Sequence, residues 1–126
     1  MDLGWVGGLI GTFPQLALDL PTPRERVFLN IDTVMSQLRG RSGYFYPAAL
    51  NGKLFDERPE APGMSLTRRN ADGLFWLIKH FRLLQAQGHA KSIKPEWEEA
   101  ARNLARAFVR TWKKEGEFGN YVHPET

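Results

Sequence analysis

Residues 67–87 read TRRNADGLFWLIKHFRLLQAQ, and the character of this stretch decides the fold. Leu74, Phe75, Trp76, Leu77, Ile78, Phe81, Leu83 and Leu84 surround the axis of a 3.6-residue helix almost completely. A helix that is apolar all round is buried all round, so the segment is expected inside a larger helical array. Leu3 to Leu20 has the same character, although Gly4, Gly7, Gly8, Gly11 and Pro14 weaken it as an isolated helix.

The segments that follow these two are different. From Pro23 to Arg39, Val27, Ile31, Val34, Met35 and Leu38 make one apolar stripe, while Arg26, Asn30, Thr33 and Gln37 face away. Thr22 is the expected N-cap, with Glu25 completing a capping box, Pro23 at the first helical position and Gly40 as the stop. From Pro95 to Glu115 the stripe is Trp97, Ala101, Leu104, Phe108 and Trp112, opposed by Arg102, Arg106, Arg110 and Lys113. Glu96, Glu98 and Glu99 complement the positive end of its dipole, and Gly116 ends it. The order is buried, amphipathic, buried, amphipathic.

The connections repeat in the same rhythm. Each expected buried helix passes to its amphipathic partner by a short link, through Pro21 and Thr22 or through Gly88 to Lys94, so each pair is an antiparallel αα-hairpin. The return connection is long and contains Asn51-Gly52, a type I′ hairpin signal between Ala49-Leu50 and Leu54-Phe55. Thr22-Pro23 and Lys94-Pro95 are offset by about 72 residues, with Gly43 and Gly116 in corresponding places. The chain is therefore expected to be one all-α domain over 1–126, with hairpins at 1–40 and 65–116 joined by a long loop at 41–64. With buried helices inside and amphipathic helices outside, all long loops emerge at one end, where function is usually carried.

Composition bounds the function. Hydrophobic residues are 42% and aromatics 12%, which excludes disorder. The 17 basic and 14 acidic residues are interspersed, and Glu98, Glu99 and Glu115 lie near the basic stripe on 95–115, so a solvated face is expected rather than a nucleic-acid interface. No cysteine is present, which removes disulfides, thiolate metal ligands and a cysteine nucleophile and leaves the compartment open. The uncharged run from Leu3 to Leu18 is shorter than the roughly 20 residues a membrane span needs, and Asp2 stands where a signal peptide carries Lys or Arg. No zinc spacing, phosphate loop or nucleophile elbow appears, so neither metal nor cofactor is expected.

Three stretches carry a resemblance: Gly43-Tyr44-Phe45-Tyr46, then Arg68 to Trp76 (RRNADGLFW), then Gly116 to Thr126 (GEFGNYVHPET). Together they resemble the six-hairpin glycosidase-like superfamily, whose six αα-hairpins form an (α/α)6 toroid. Its relatives include unsaturated glucuronyl hydrolases, other glycoside hydrolases and sugar epimerases. The resemblance implies a partial toroid with two of six hairpins, either a fragment of a larger ring or a subunit completing a ring by association, three copies supplying six hairpins. It implies a glycoside hydrolase-like function acting on carbohydrate, incomplete in this chain alone. The alternative is a non-catalytic helical repeat module that binds a glycan or a protein through its Tyr-rich loops.

Glycoside hydrolysis needs two carboxyl groups flanking the scissile bond. Asp72, one turn into the second buried helix, and Asp2, placed before Trp5 as Asp72 precedes Trp76, are the candidate pair. Their plain structural readings are a favourable dipole charge for Asp72 and a frayed terminus for Asp2. Tyr44, Tyr46 and Tyr121 are candidate stacking rings for a sugar, and Phe45 and Phe118 are read as a roof over the core. Arg68 and Arg69, beside Asn70, match a uronic carboxylate or pair with Asp56, Glu57 or Glu60. His123 lies on a loop within reach of neutral-pH titration, His80 is read as a hydrogen-bonded core residue, and His89 as a turn residue.

Overall fold

A computed structural model describes residues 9–55 and 60–126. Four helices dominate: α1 (Leu9–Ala17), α2 (Pro21–Gln37), α3 (Thr67–Ala86) and α4 (Pro95–Glu115). Two small antiparallel ribbons accompany them, β1 (Ala48–Leu50) with β2 (Lys53–Phe55), and β3 (Ser65–Leu66) with β4 (Tyr121–Val122). The chain is thus mostly helical, and α1–α2 and α3–α4 are two αα-hairpins packed side by side.

Local chemistry explains most boundaries. α4 starts at Pro95, which lacks only an N–H that would be unpaired there, and carries Glu96 and Glu98 in its first turn. Gly116 ends it in the left-handed region at φ 71°, its N–H donating to the Trp112 carbonyl. Asn51 and Gly52 both have positive φ, 52° and 75°, which is the type I′ geometry that sets the register Leu50↔Lys53. α2 departs from expectation. It begins at Pro21, two residues early, with Leu20 as its N-cap and no capping side chain, so the Thr22–Glu25 box does not form. The ring of Pro21 already holds the helical φ, which lets the helix start there. It stops at Gln37 because Arg39 leaves the helix to bridge Phe45.

The core lies between the two hairpins. Leu16, Val27, Ile31, Leu38, Leu77, Leu84, Trp97 and Leu104 are fully buried. Trp97 packs on Phe28 and donates its indole N–H to Oδ1 of Asp32 at 2.9 Å, while Oδ2 of Asp32 accepts from Lys94 at 2.5 Å. Asp32 therefore ties α2 to the start of α4. His80 is fully buried, with Nδ1 2.5 Å from the Trp76 carbonyl and Nε2 2.8 Å from the Thr12 hydroxyl. It is a hydrogen-bonded core residue, as its place in the sequence implies.

The expectation that the first and third helices are buried on all sides needs correction. Arg68, Asp72, Phe75, Ile78, Lys79, Arg82 and Gln85 form a continuous outward face of α3, and on α1 only Leu9 and Leu16 are fully buried while Ile10 is exposed. The reason is geometric: two hairpins cover one another on one side only. Residues 3–8 of the expected first helix lie outside the described residues.

Phe75, Ile78, Val109, Trp112 and Phe118, on the second hairpin and the turn after it, remain between 43% and 55% exposed, as do Ile10, Leu20 and Leu29 on the first. On α3, the positions meeting α1 are Trp76, His80 and Gln87. Ile78, two positions after Trp76, lies on the opposite side of the helix and is exposed, while Leu74 and Phe81 are partly buried against the core. On α4, Asn103 and Ala107 meet the connection leaving α2, whereas Ala105, Val109 and Trp112 point away from it. The α3–α4 hairpin thus keeps exposed apolar side chains on both helices, and Trp112, the last residue of the expected α4 stripe, is 55% exposed.

Candidate functional site

The long connections gather at one end. Asp19 and His89, from the two short links, meet at 3.3 Å at the other end. At the loop end, the segment 39–46 is pressed between α4 and the C-terminal strand. Gly43 has φ 101°, and a Cβ there would stand 2.5 Å from the Asn103 carbonyl oxygen, so only glycine lets the backbones approach so closely. Gly40 lies equally close to Pro124, where a Cβ would meet its carbonyl oxygen at 2.2 Å. Ser42 donates through its backbone N–H to Pro124 and through its hydroxyl to the His123 carbonyl at 2.6 Å.

Asn70 organises this end from beneath. It is fully buried; its Oδ1 accepts the Phe45 N–H at 2.7 Å, and its Nδ2 donates to the Phe45 carbonyl at 3.2 Å and to Ser65 Oγ at 3.0 Å. The substrate-binding expectation for Asn70 is corrected accordingly: its amide is used up in holding the loop. The start of α3 is held from above, where Thr67 donates its N–H to Asn120 and its hydroxyl to Gly119.

Two of the expected stacking tyrosines make hydrogen bonds within the chain. Tyr44 is buried, its hydroxyl 3.1 Å from the Ala107 carbonyl and 2.6 Å from Thr111, and burial pushes its pKa up. Tyr46 donates to Oε1 of Glu125 at 2.6 Å, and burial, followed by the adjacent carboxylate, raises its pKa to about 12. Oε2 of Glu125 accepts from Arg41 Nε at 2.7 Å; the Tyr46 hydroxyl and then Arg41 hold this carboxyl below its ordinary value. Tyr44 is thus corrected from a sugar platform to a loop fastener, because its ring is buried and its hydroxyl is engaged within the chain, while Tyr46, half-buried, fastens the loop to Glu125 through its hydroxyl. Phe45 is buried as a roof residue, whereas Phe118 is half exposed on Phe108 and Trp112 at 5.7 Å from each.

Tyr121 and His123 fare differently. They border an open cleft of about 500 Å³ whose wall also includes Arg110, Lys114, Glu115 and Glu117. Glu115 and Glu117 were not among the expected site residues; their position on either side of the helix-ending Gly116 was the available signal. Arg68 and Asp72 stand exposed one turn apart on the first part of α3, and Arg69 is half-buried. None of these three borders the cleft of Tyr121 and His123. Asp2 lies outside the described residues, as do Asp56 and Glu57.

The chemistry available is that of a shallow polar cleft with an aromatic wall and both signs of charge. Among the described residues no group of three or more His, Asp or Glu side chains is placed to hold a metal ion, and no helix is long and apolar enough to cross a membrane. Comparison with protein-family models, curated proteins and solved structures finds no match for the chain.

Proposed function

We infer that the chain is part of an α/α helical-hairpin array of the toroid kind, which takes up carbohydrate at the end where its long loops gather and acts as a glycoside hydrolase once the array is complete. The observation that carries this reading is the exposed apolar residues of α3 and α4. Ile78 on α3 and Val109 and Trp112 on α4 are 43–55% exposed, and a further αα-hairpin of the same kind would cover such residues. Such a patch costs solubility when left open, and stacking a neighbouring hairpin removes it from water.

Two features support carbohydrate as the substrate class. Tyr121 offers a ring at the rim of the cleft, with Glu115, Glu117, Arg110 and His123 as hydrogen-bonding and charged groups around it. Asp72 and Arg68 stand exposed on α3 near its loop-side start, on the face that a closed ring would turn inward. There Asp72 is the acid and Arg68 a holder for a sugar carboxylate. The partner carboxyl group for hydrolysis comes from another part of the array, since no second acid borders Asp72 on α3.

The test combines binding and association. Neutral and uronic-acid oligosaccharides titrated into the protein are expected to shift the NMR signals of Tyr121 and His123. Sedimentation is expected to show self-association that rises with concentration and is lost in Val109→Glu. In the completed array Asp72→Asn abolishes hydrolysis while sparing binding. A monomer at every concentration that ignores all the sugars would remove both halves of the reading.

A further inference from the structure

On the other side of the 39–43 segment lies a second cleft, also about 500 Å³, bordered by Arg39, Arg41, Arg106, Arg110 and Asn103. We propose that this cleft binds a tetrahedral oxyanion, phosphate or sulfate, either free or as a monoester. The cleft shares Ser42 and Arg110 with the one bordered by Tyr121, but Arg39, Arg41 and Arg106 belong to it alone, so the inference does not rest on the carbohydrate reading.

Four arginines border this cleft from two elements. Arg39 and Arg41 come from the connection after α2, and Arg106 and Arg110 lie one turn apart on α4. No carboxylate lines the cleft. Among the described residues the side chains of Arg39 and Arg106 have neither a hydrogen bond nor an ion pair. Arg110 is aimed by its donation to the Ser42 carbonyl, and Arg41 is tethered through Nε to Glu125. Like charges gathered in this way repel, and a bound dianion converts that repulsion into attraction. Guanidinium forks match tetrahedral oxyanions two bonds at a time.

The frame exists before any ligand arrives. Gly43 is seated on Asn103 and Gly40 on Pro124 with no room for a side chain, so the loop arginines are carried on backbone that is already fixed. Little ordering is then left to oppose binding. The small size of the cleft, and the acids Glu98 and Glu99 on the preceding turns of α4, favour a single oxyanion over a polyanion laid along the helix.

The experiment uses the whole chain and follows arginine Nε–H and backbone amide signals by NMR. Inorganic phosphate, inorganic sulfate and phenyl phosphate are titrated separately, against chloride at matched ionic strength. The expected result is a saturable shift at Arg39, Arg106 and Gly43, absent with chloride. Tighter binding of phenyl phosphate identifies a monoester as the source, and equal or weaker binding identifies the free ion. Arg39→Gln and Arg106→Gln should each weaken binding about tenfold, with Arg106→Lys also impaired because the fork is lost. Arg102→Gln, outside the cleft, should leave binding unchanged, and thermal melts of all variants establish that they fold. Shifts that match chloride, or an equal loss in Arg102→Gln, would overturn the proposal.

Discussion

The carboxamide of Asn70 pairs with both backbone groups of Phe45, accepting from its N–H at 2.7 Å and donating to its carbonyl at 3.2 Å. A single helix side chain thereby does for the loop what a neighbouring strand does in a sheet. Both backbone groups sit in a buried environment where water cannot replace a lost partner. Asn70→Ala should destabilise the protein by about 2–3 kcal/mol, the usual cost of leaving such groups unpaired. Asn70→Asp keeps the acceptor, loses the donor and buries a charge, so it should rescue little. Urea denaturation of the two variants checks this; a loss well under 1 kcal/mol for Asn70→Ala would show that the loop finds other partners.

A second junction joins the hairpins at the opposite side of the core. Asp32 accepts from the buried Trp97 indole and from Lys94 at once. Asp32→Ala strands the indole N–H in a fully buried ring and should cost about 1–3 kcal/mol. Asp32→Asn preserves an acceptor for Trp97 and should lose less. The Asp32→Ala protein is expected to melt at lower temperature with red-shifted tryptophan emission, and an unchanged melting temperature would show that the Asp32 contacts are dispensable.

The third prediction concerns acid. Burial lowers the pKa of His80 below its ordinary value, the Trp76 carbonyl opposing this only in part. The neutral ring donates Nδ1–H to that carbonyl, and its Nε2 lies 2.8 Å from the Thr12 hydroxyl, whose one proton is shared between Nε2 and the Leu9 carbonyl at 3.0 Å. Because the folded-state value is depressed for a base, the unfolded chain binds the extra proton first. The contribution is therefore fully present above the unfolded-state value of about 6.5 and is lost as pH falls through the lower folded-state value. Thermal melts should drop in midpoint over that window, and His80→Gln should flatten the dependence. A midpoint in the native protein that is level across the window would contradict it.

Parts of the fold were legible because they depend on neighbours in sequence. Pro95, the glutamates after it and Gly116 bound α4 at both ends, and Asn51-Gly52 places the hairpin turn. Burial of Val27, Ile31, Val34, Met35 and Leu38 follows from their spacing alone. The site was less legible. Asn70, Tyr44 and Tyr46 read as ligand-facing, since a polar or aromatic residue near a loop has the same appearance whether its partner is a sugar or the chain itself. The pairing of β3 with β4 joins residues more than fifty positions apart, and two-residue strands leave no periodic trace.

What the residues determined unaided is the alternation of helices and loops, because caps, prolines, glycines and apolar spacing act over one or two turns. What only the tertiary structure decided is which faces are covered. Burial depends on the neighbours that are present: α3, apolar around most of its circumference, is buried toward α1 and α4 and open along Asp72, Phe75 and Ile78. The convergence of Arg39 and Arg41 with Arg106 and Arg110 has the same origin. It exists because Gly43 lets a loop rest on the backbone of α4, a long-range contact that no local pattern announces.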